Sequence, residues 1–345
     1  MDDTNTKSQL GQFFTTNYQY ILSNLYIPHN VKSIVEPFTG NGDLLNFINS
    51  IENYDIECYD IDAKHNFIEE RDTLVNPPDY TDKFIITNPP YLARNKSNNK
   101  ELFEKYKVND LYKCFLSNLL DNKALGGIII IPLNFWSSIR DMDIILRKQF
   151  LTIYNVLRVN IFEEQVFTDT SYSVCAFQFQ LKNQDDTTSI PFDIYPSKQT
   201  ITAILNEDNN YTVGGEIYKL PQQNQYSISR LVKGEMKNTN IVAKCIDDNI
   251  DSQICLKLVD DKDIFIDETP NKSARTYATL VIKPELSLEN QKKLVEDFNQ
   301  YLATMRQKYH SLFMSNYRES NTIARKRISF ELVYNIVGYL LTRQS

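Results

Sequence analysis

Two rhythms of hydrophobic and polar residues run through the first half of the chain. Short apolar runs have the length and branched side chains of buried strands: Ser33-Ile34-Val35-Glu36, Asp55-Ile56-Glu57-Cys58-Tyr59-Asp60, Lys83-Phe84-Ile85-Ile86-Thr87 and Ile128-Ile129-Ile130-Ile131. Between them, Leu44, Leu45, Phe47, Ile48 and Ile51 fall at helical spacing with Asp43 as the expected N-cap, and Leu111, Phe115 and Leu119 do the same within 109–122. Strands alternating with helices predict an α/β fold built on a parallel, doubly wound sheet. Ser171 to Leu181 alternates with period two, which predicts a late antiparallel hairpin. The polar run Asn183-Gln184-Asp185-Asp186-Thr187-Thr188-Ser189 predicts a domain boundary, giving residues 1–183 and 184–345. The second part reads as a smaller mixed α/β domain, with amphipathic helices at about 288–309 and about 328–342.

A hydrophobic content of 42% is enough for a large core and excludes wholesale disorder. The longest apolar run, Ile128 to Leu133, is far short of the roughly 20 residues of a membrane span, so no membrane association is expected. The start, Met1-Asp2-Asp3-Thr4, lacks the character of a signal peptide. Five scattered cysteines with no C-x-x-C and only three histidines predict neither a disulfide framework nor a metal cluster, and make a reducing cytoplasm the default. The net charge of −7 argues against a general polyanion binder, yet residues 305–345 carry seven basic groups against two acidic ones. A local basic surface at that end remains open.

The candidate chemistry sits at strand ends. Glu36-Pro37-Phe38-Thr39-Gly40-Asn41-Gly42-Asp43 is a strand running into G-x-G, a device that brings backbone close to a ligand. Leu45 occupies the third glycine position of the dinucleotide fingerprint, which disfavours NAD. Asp60 ends the next strand, placed to accept hydrogen bonds from ribose hydroxyls, with Asp62 as its rival; Asp62 also reads as the cap of a following helix. Asn88-Pro89-Pro90-Tyr91 is the most specific feature. Its prolines remove two backbone donors and leave carbonyls free as acceptors; the Asn side-chain oxygen adds another, and Tyr91 offers an aromatic face. That set suits the exocyclic amine of a planar base.

On these motifs residues 10–181 resemble the S-adenosylmethionine-dependent DNA methyltransferases that modify amino groups, in particular N6-adenine enzymes of the gamma motif order. The resemblance implies a Rossmann-like catalytic domain followed by a DNA-recognition domain. Gly11-Gln12-Phe13-Phe14-Thr15 is similar to the family's N-terminal motif, implying that Thr15 contacts the methionine part of the cofactor. Glu36, Phe38, Thr39, Gly40 and Gly42 match its cofactor loop, Asp60 its ribose-binding acid, and Asp72-Thr73-Leu74 the motif whose aspartate reads the cofactor adenine. Thr73 stands where an aromatic is usual. Pro90 is assigned to the cofactor side of its turn. Asn88, Pro89 and Tyr91 match the catalytic motif, and Val166-Phe167 looks like the late motif whose phenylalanine stacks on the base; Phe167 as an ordinary core aromatic stays open.

The resemblance implies a target base flipped out of duplex DNA and held between Tyr91 and Phe167, its amino group bound by Asn88 and the Pro89 carbonyl. No metal is implied. Arg94, Lys96 and Lys100, in the basic loop after the turn, and Arg325, Lys326 and Arg327 are candidates for phosphate contacts, with Arg306, Lys308 and Arg318 behind them; a solvated charged face is the alternative. A monomer acting beside a separate restriction endonuclease is expected. The nearest rival is an N4-cytosine methyltransferase, followed by RNA or protein-glutamine methyltransferases and a non-enzymatic binding subunit.

Overall fold

The computed structural model describes residues 15–167, 173–183, 189–221, 224–247, 252–268, 276–314, 316–319 and 324–343. The chain divides into two compact units, residues 1–136 with 140–204 and residues 137–139 with 205–345.

The first unit is α/β, built on a nine-stranded, mainly parallel sheet. Its strands are β1 (Ser33–Glu36), β2 (Asp55–Asp60), β3 (Glu69–Glu70), β4 (Phe84–Thr87), β5 (Gly126–Pro132), β6 (Tyr154–Phe162), β7 (Val174–Leu181), β8 (Ile190–Tyr195) and β9 (Gln199–Ala203). Their order is β3-β2-β1-β4-β5-β7-β6-β8-β9. β1, β2, β3, β4 and β5 run parallel, and β7 lies antiparallel between β5 and β6. The order reverses direction between β1 and β4, the position where an open α/β sheet leaves a crevice beyond its strand ends.

The isoleucine run sits in β5, every residue of which is buried. Gly126 and Gly127 let this strand fit, because an added Cβ would lie 2.6 Å from the Phe179 and Ile85 carbonyl oxygens respectively. Phe135, Trp136, Phe150, Tyr154, Phe177 and Phe179 form one aromatic cluster, with ring centroids 4.8–6.2 Å apart. Each such buried ring contributes about 1.5–3 kcal/mol through lost apolar exposure.

Three expectations change. The helix expected after Gly42 is a single 3-10 turn, Asp43–Phe47, because Asn46, Asn49, Ser50 and Asn53 fill its polar face with poor helix formers. No helix follows Asp62; residues 61–68 are bends and turns, so Asp62 caps nothing. The first compact unit also runs past residue 183, since β8 pairs with β6 and β9 with β8, carrying the sheet to Ala203. The polar run at 184–188 lies outside the described residues.

Among the described residues the second unit holds a four-stranded sheet, a three-stranded sheet, two α-helices and short 3-10 turns. Its strands are β10 (Ser227–Arg230), β11 (Ile241–Lys244), β12 (Ile246–Asp247), β13 (Cys255–Leu258), β14 (Tyr277–Lys283), β15 (Asn316–Glu319) and β16 (Ala324–Arg327). They are ordered β10-β14-β11-β13 and β12-β16-β15. The helix Leu288–Tyr309 is capped by the Ser287 hydroxyl, which accepts the Asn290 N–H at 3.2 Å, and it buries Leu294, Phe298, Leu302 and Met305 along one face. The last helix, Phe330–Thr342, is capped in the same way by Ser329.

Candidate functional site

The crevice between β1 and β4 is a cavity of about 430 Å³, lined from the ends of β1, β2, β3 and β4. After β1 the chain turns through Pro37-Phe38-Thr39-Gly40-Asn41-Gly42. Gly40 and Gly42 take φ values of 56° and 82°, a region closed to most side-chain-bearing residues. The turn is tied to β2 by two bonds: the Thr39 N–H donates to the Tyr59 carbonyl at 2.9 Å, and the Gly40 N–H to Asp60 Oδ2 at 2.7 Å. The other oxygen of Asp60 accepts the Asp62 N–H at 2.9 Å. Asp60 therefore fixes the loops on both sides of itself, and its buried carboxylate faces the cavity they enclose.

Asp72 lies on the next wall. Its Oδ1 accepts the Leu74 and Val75 N–H groups at 3.1 and 3.3 Å. Thr73, which departs from the aromatic the resemblance implies, is buried and donates its hydroxyl to the Pro37 carbonyl at 2.8 Å. It locks the Asp72 segment to the first loop through a bond no aromatic side chain at that position makes.

β4 ends at Thr87 and delivers Asn88-Pro89-Pro90-Tyr91. The Asn88 amide Nδ2 donates to Thr15 Oγ1 at 3.0 Å, which joins the turn to the N-terminal segment. Gly11 to Phe14 lie outside the described residues. The Tyr91 hydroxyl bonds to the Asn88 Oδ1 and to the Ile130 carbonyl, the latter at 2.8 Å, and its ring meets Tyr112 edge-on at 6.2 Å. Asn88 and Pro90 line the cavity; Pro89 is buried, and Tyr91 and Phe167, at 2% and 5% exposure, sit off its wall.

Thr15, Glu36, Phe38, Thr39, Gly40, Asp60, Asp72 and Pro90 thus converge on one cavity, while Gly42 shapes its loop from outside. Further wall residues went unread in the sequence. Ser97, Asn99, Glu101, Leu102, Phe103 and Lys105 close another side, from the loop and the short helix Glu101–Tyr106. The apolar pair Leu102-Phe103 in an otherwise charged stretch was the available signal. Arg94 is exposed and pairs with Glu104 at 3.1 Å, and Lys96 and Lys100 are exposed. In the second unit Lys326 is 9% exposed, Arg327 is half-buried, and the Arg325 and Arg318 side chains lie outside the described ones. Arg306 makes a two-point pair with Asp247 at 2.9 and 3.0 Å, and Lys308 pairs with Glu216 at 3.3 Å.

Beside Glu36, the cavity carries more negative than positive groups: Asp43, Asp60, Asp72 and Glu101 against Arg71 and Lys105. Glu36 is 1% exposed, and its Oε2 has no hydrogen-bond partner among the described residues. Burial, then the charges of Asp60 and Asp43, hold its pKa well above the ordinary carboxylate range. The fold therefore prefers Glu36 neutral. Its stabilising contribution is complete below the unfolded pKa and is lost as pH rises through the raised folded value. Thermal unfolding of the chain alone should decline across that window, and Glu36→Gln should flatten the decline; equal slopes for the two proteins would contradict this assignment.

No family model matches the chain. The type II methyltransferases M.HincII and M.HindII of Haemophilus influenzae are each 29% identical to it over 240 residues, covering 64% of this chain. The chain resembles the methyltransferases of restriction–modification systems. It spans under half the length of these modification methyltransferases, 45% and 44%. Among solved structures, the DrdV–DNA complex is similar with a TM-score of 0.46 at 14% identity, covering 70% of this chain and 36% of that one. The type IIG restriction endonuclease BpuSI is similar with a TM-score of 0.43 at 12% identity, covering 70% of this chain and 37% of that one.

Proposed function

We propose that the chain transfers a methyl group from S-adenosylmethionine to the N6 amino group of an adenine flipped out of duplex DNA, and that it shields its sites from a separate restriction endonuclease. The observation that carries this reading is a carboxylate-rich cavity at the switch point of the sheet that opens onto Asn88. A surplus of carboxylates disfavours the phosphates of a dinucleotide and suits a ligand bearing a sulfonium and an ammonium. Glu36, whose Oε2 is unpaired among the described residues, would meet the positive end, and Asp60 and Asp72, on the cavity wall, would hold the ribose and the adenine. When bound, the sulfonium supplies an electrophilic methyl group.

The chain's own part is positioning. Asn88 Oδ1 and the Pro89 carbonyl accept the two amino hydrogens of the base, which aims the nitrogen lone pair at the methyl carbon. The Thr15 bond fixes which face of the Asn88 amide points outward. Tyr91 and Phe167 form the stacking pair, and because both are buried, a base reaches them only after covering side chains shift. Residues 205–345 serve as the recognition part in this reading, with Arg94, Lys96, Lys100, Arg325, Lys326 and Arg327 as candidates for the backbone phosphates.

Methyl-labelled cofactor incubated with duplex DNA, structured RNA or protein tests the substrate class. Label in DNA supports the reading; label confined to RNA or protein overturns it. Within the turn, Tyr91→Ala should cost more activity than Tyr91→Phe. The Phe variant also loses the bond to the buried Ile130 carbonyl, so unfolding should show a loss of about 1–2 kcal/mol. Equal activity losses in the two variants would make the hydroxyl, not the ring, the working part.

A further inference from the structure

The N-P-P-Y turn has a mechanical weakness. Pro89 and Pro90 carry no N–H, so the turn lacks two of its backbone donors. Just past its exit the Leu92 N–H is taken at 3.1 Å by Oδ1 of Asp110, a carboxylate 8% exposed. The same junction is closed by the Leu111 N–H on the Leu92 carbonyl at 3.2 Å and the Arg94 N–H on the Asn109 carbonyl at 3.0 Å. Asp110 stands at the N-cap of the helix Leu111–Asp121, whose Tyr112 meets the Tyr91 ring.

Behind it lies a buried set of charges. Lys113 donates to Asn109 Oδ1 at 2.7 Å and pairs with Asp143, and Arg147 is fully buried with a bond to the Phe135 carbonyl at 2.5 Å. Burial raises the Asp110 carboxyl to about 7 against the pull of Lys113. Buried charges add little net stability compared with apolar residues of the same volume, so a network placed directly against the turn points to a task there. Leu92 and Leu111 both line the cavity, so a slip at this junction is felt where the reaction occurs.

We propose that Asp110 is a positioning residue that fixes the exit of the Asn88–Tyr91 turn, and with it the Pro89 carbonyl and the Tyr91 ring. The proposal rests on reading that turn as the transfer site. Asp110→Ala should slow single-turnover transfer about 10–100-fold and leave cofactor Kd within about threefold. Asp110→Asn keeps an acceptor in place and should restore the rate to within about fivefold of wild type. Asp110→Glu keeps the charge but moves the oxygens by one methylene, and should be slow with cofactor binding intact. It decides the matter if the alanine variant does not fold. An Asp110→Glu rate equal to wild type, or parallel losses of rate and cofactor affinity, would overturn the positioning role alone. A wild-type protein that transfers no methyl group to DNA would overturn the functional reading and this role together.

Discussion

Asn88→Ala should reduce methyl transfer by about 10³-fold while S-adenosylmethionine affinity stays within about threefold. The substitution removes the side-chain oxygen that receives the target amine and leaves the carboxylates of the cavity in place. It also releases Thr15 Oγ1 and the Tyr91 hydroxyl from their Asn88 partners, which is a modest loss because Tyr91 keeps its bond to Ile130. Single-turnover transfer and calorimetric titration of the cofactor separate the two effects. Parallel loss of both would assign Asn88 to cofactor binding instead.

Asp60→Ala should have the opposite signature, with cofactor Kd raised about 100-fold and a lowered melting temperature. The carboxylate is expected to serve the ribose hydroxyls while already accepting the Gly40 and Asp62 N–H groups. Its removal leaves two loop donors without their acceptor, at about 1–3 kcal/mol each where they are buried, and loosens the Gly40 turn. At saturating cofactor the transfer rate should recover to within about tenfold of wild type. An unchanged Kd would remove Asp60 from the cofactor site.

The sheet was legible because β1, β4 and β5 are short, largely apolar runs bounded by turn residues, a pattern local to a few residues. The loops at their ends were legible for the same reason: Gly40 and Gly42 mark a backbone that few other residues adopt, and a double proline marks a turn stripped of donors. What the sequence hid depends on distant partners. Thr73 looked like a departure from a motif until its hydroxyl met the Pro37 carbonyl. Asp110 stands 18 residues from Leu92, and nothing nearby in sequence names Leu92 as its partner. The end of the first unit was misplaced because β8 follows a polar run yet pairs back onto β6, and β9 pairs onto β8. Pairing across such a separation leaves no local trace. The same limit applies to charge. Lys326 belongs to a basic run in sequence but is buried on β16, a setting that the run itself does not reveal.

The central claim is met most directly by identifying the product. Purified protein is incubated with S-adenosylmethionine and unmethylated genomic DNA, the DNA is digested to nucleosides, and the methylated species is identified by mass spectrometry. The expected product is N6-methyladenine, absent with Asn88→Ala. N4-methylcytosine in its place, or no methylated nucleoside while the cofactor binds, would contradict it.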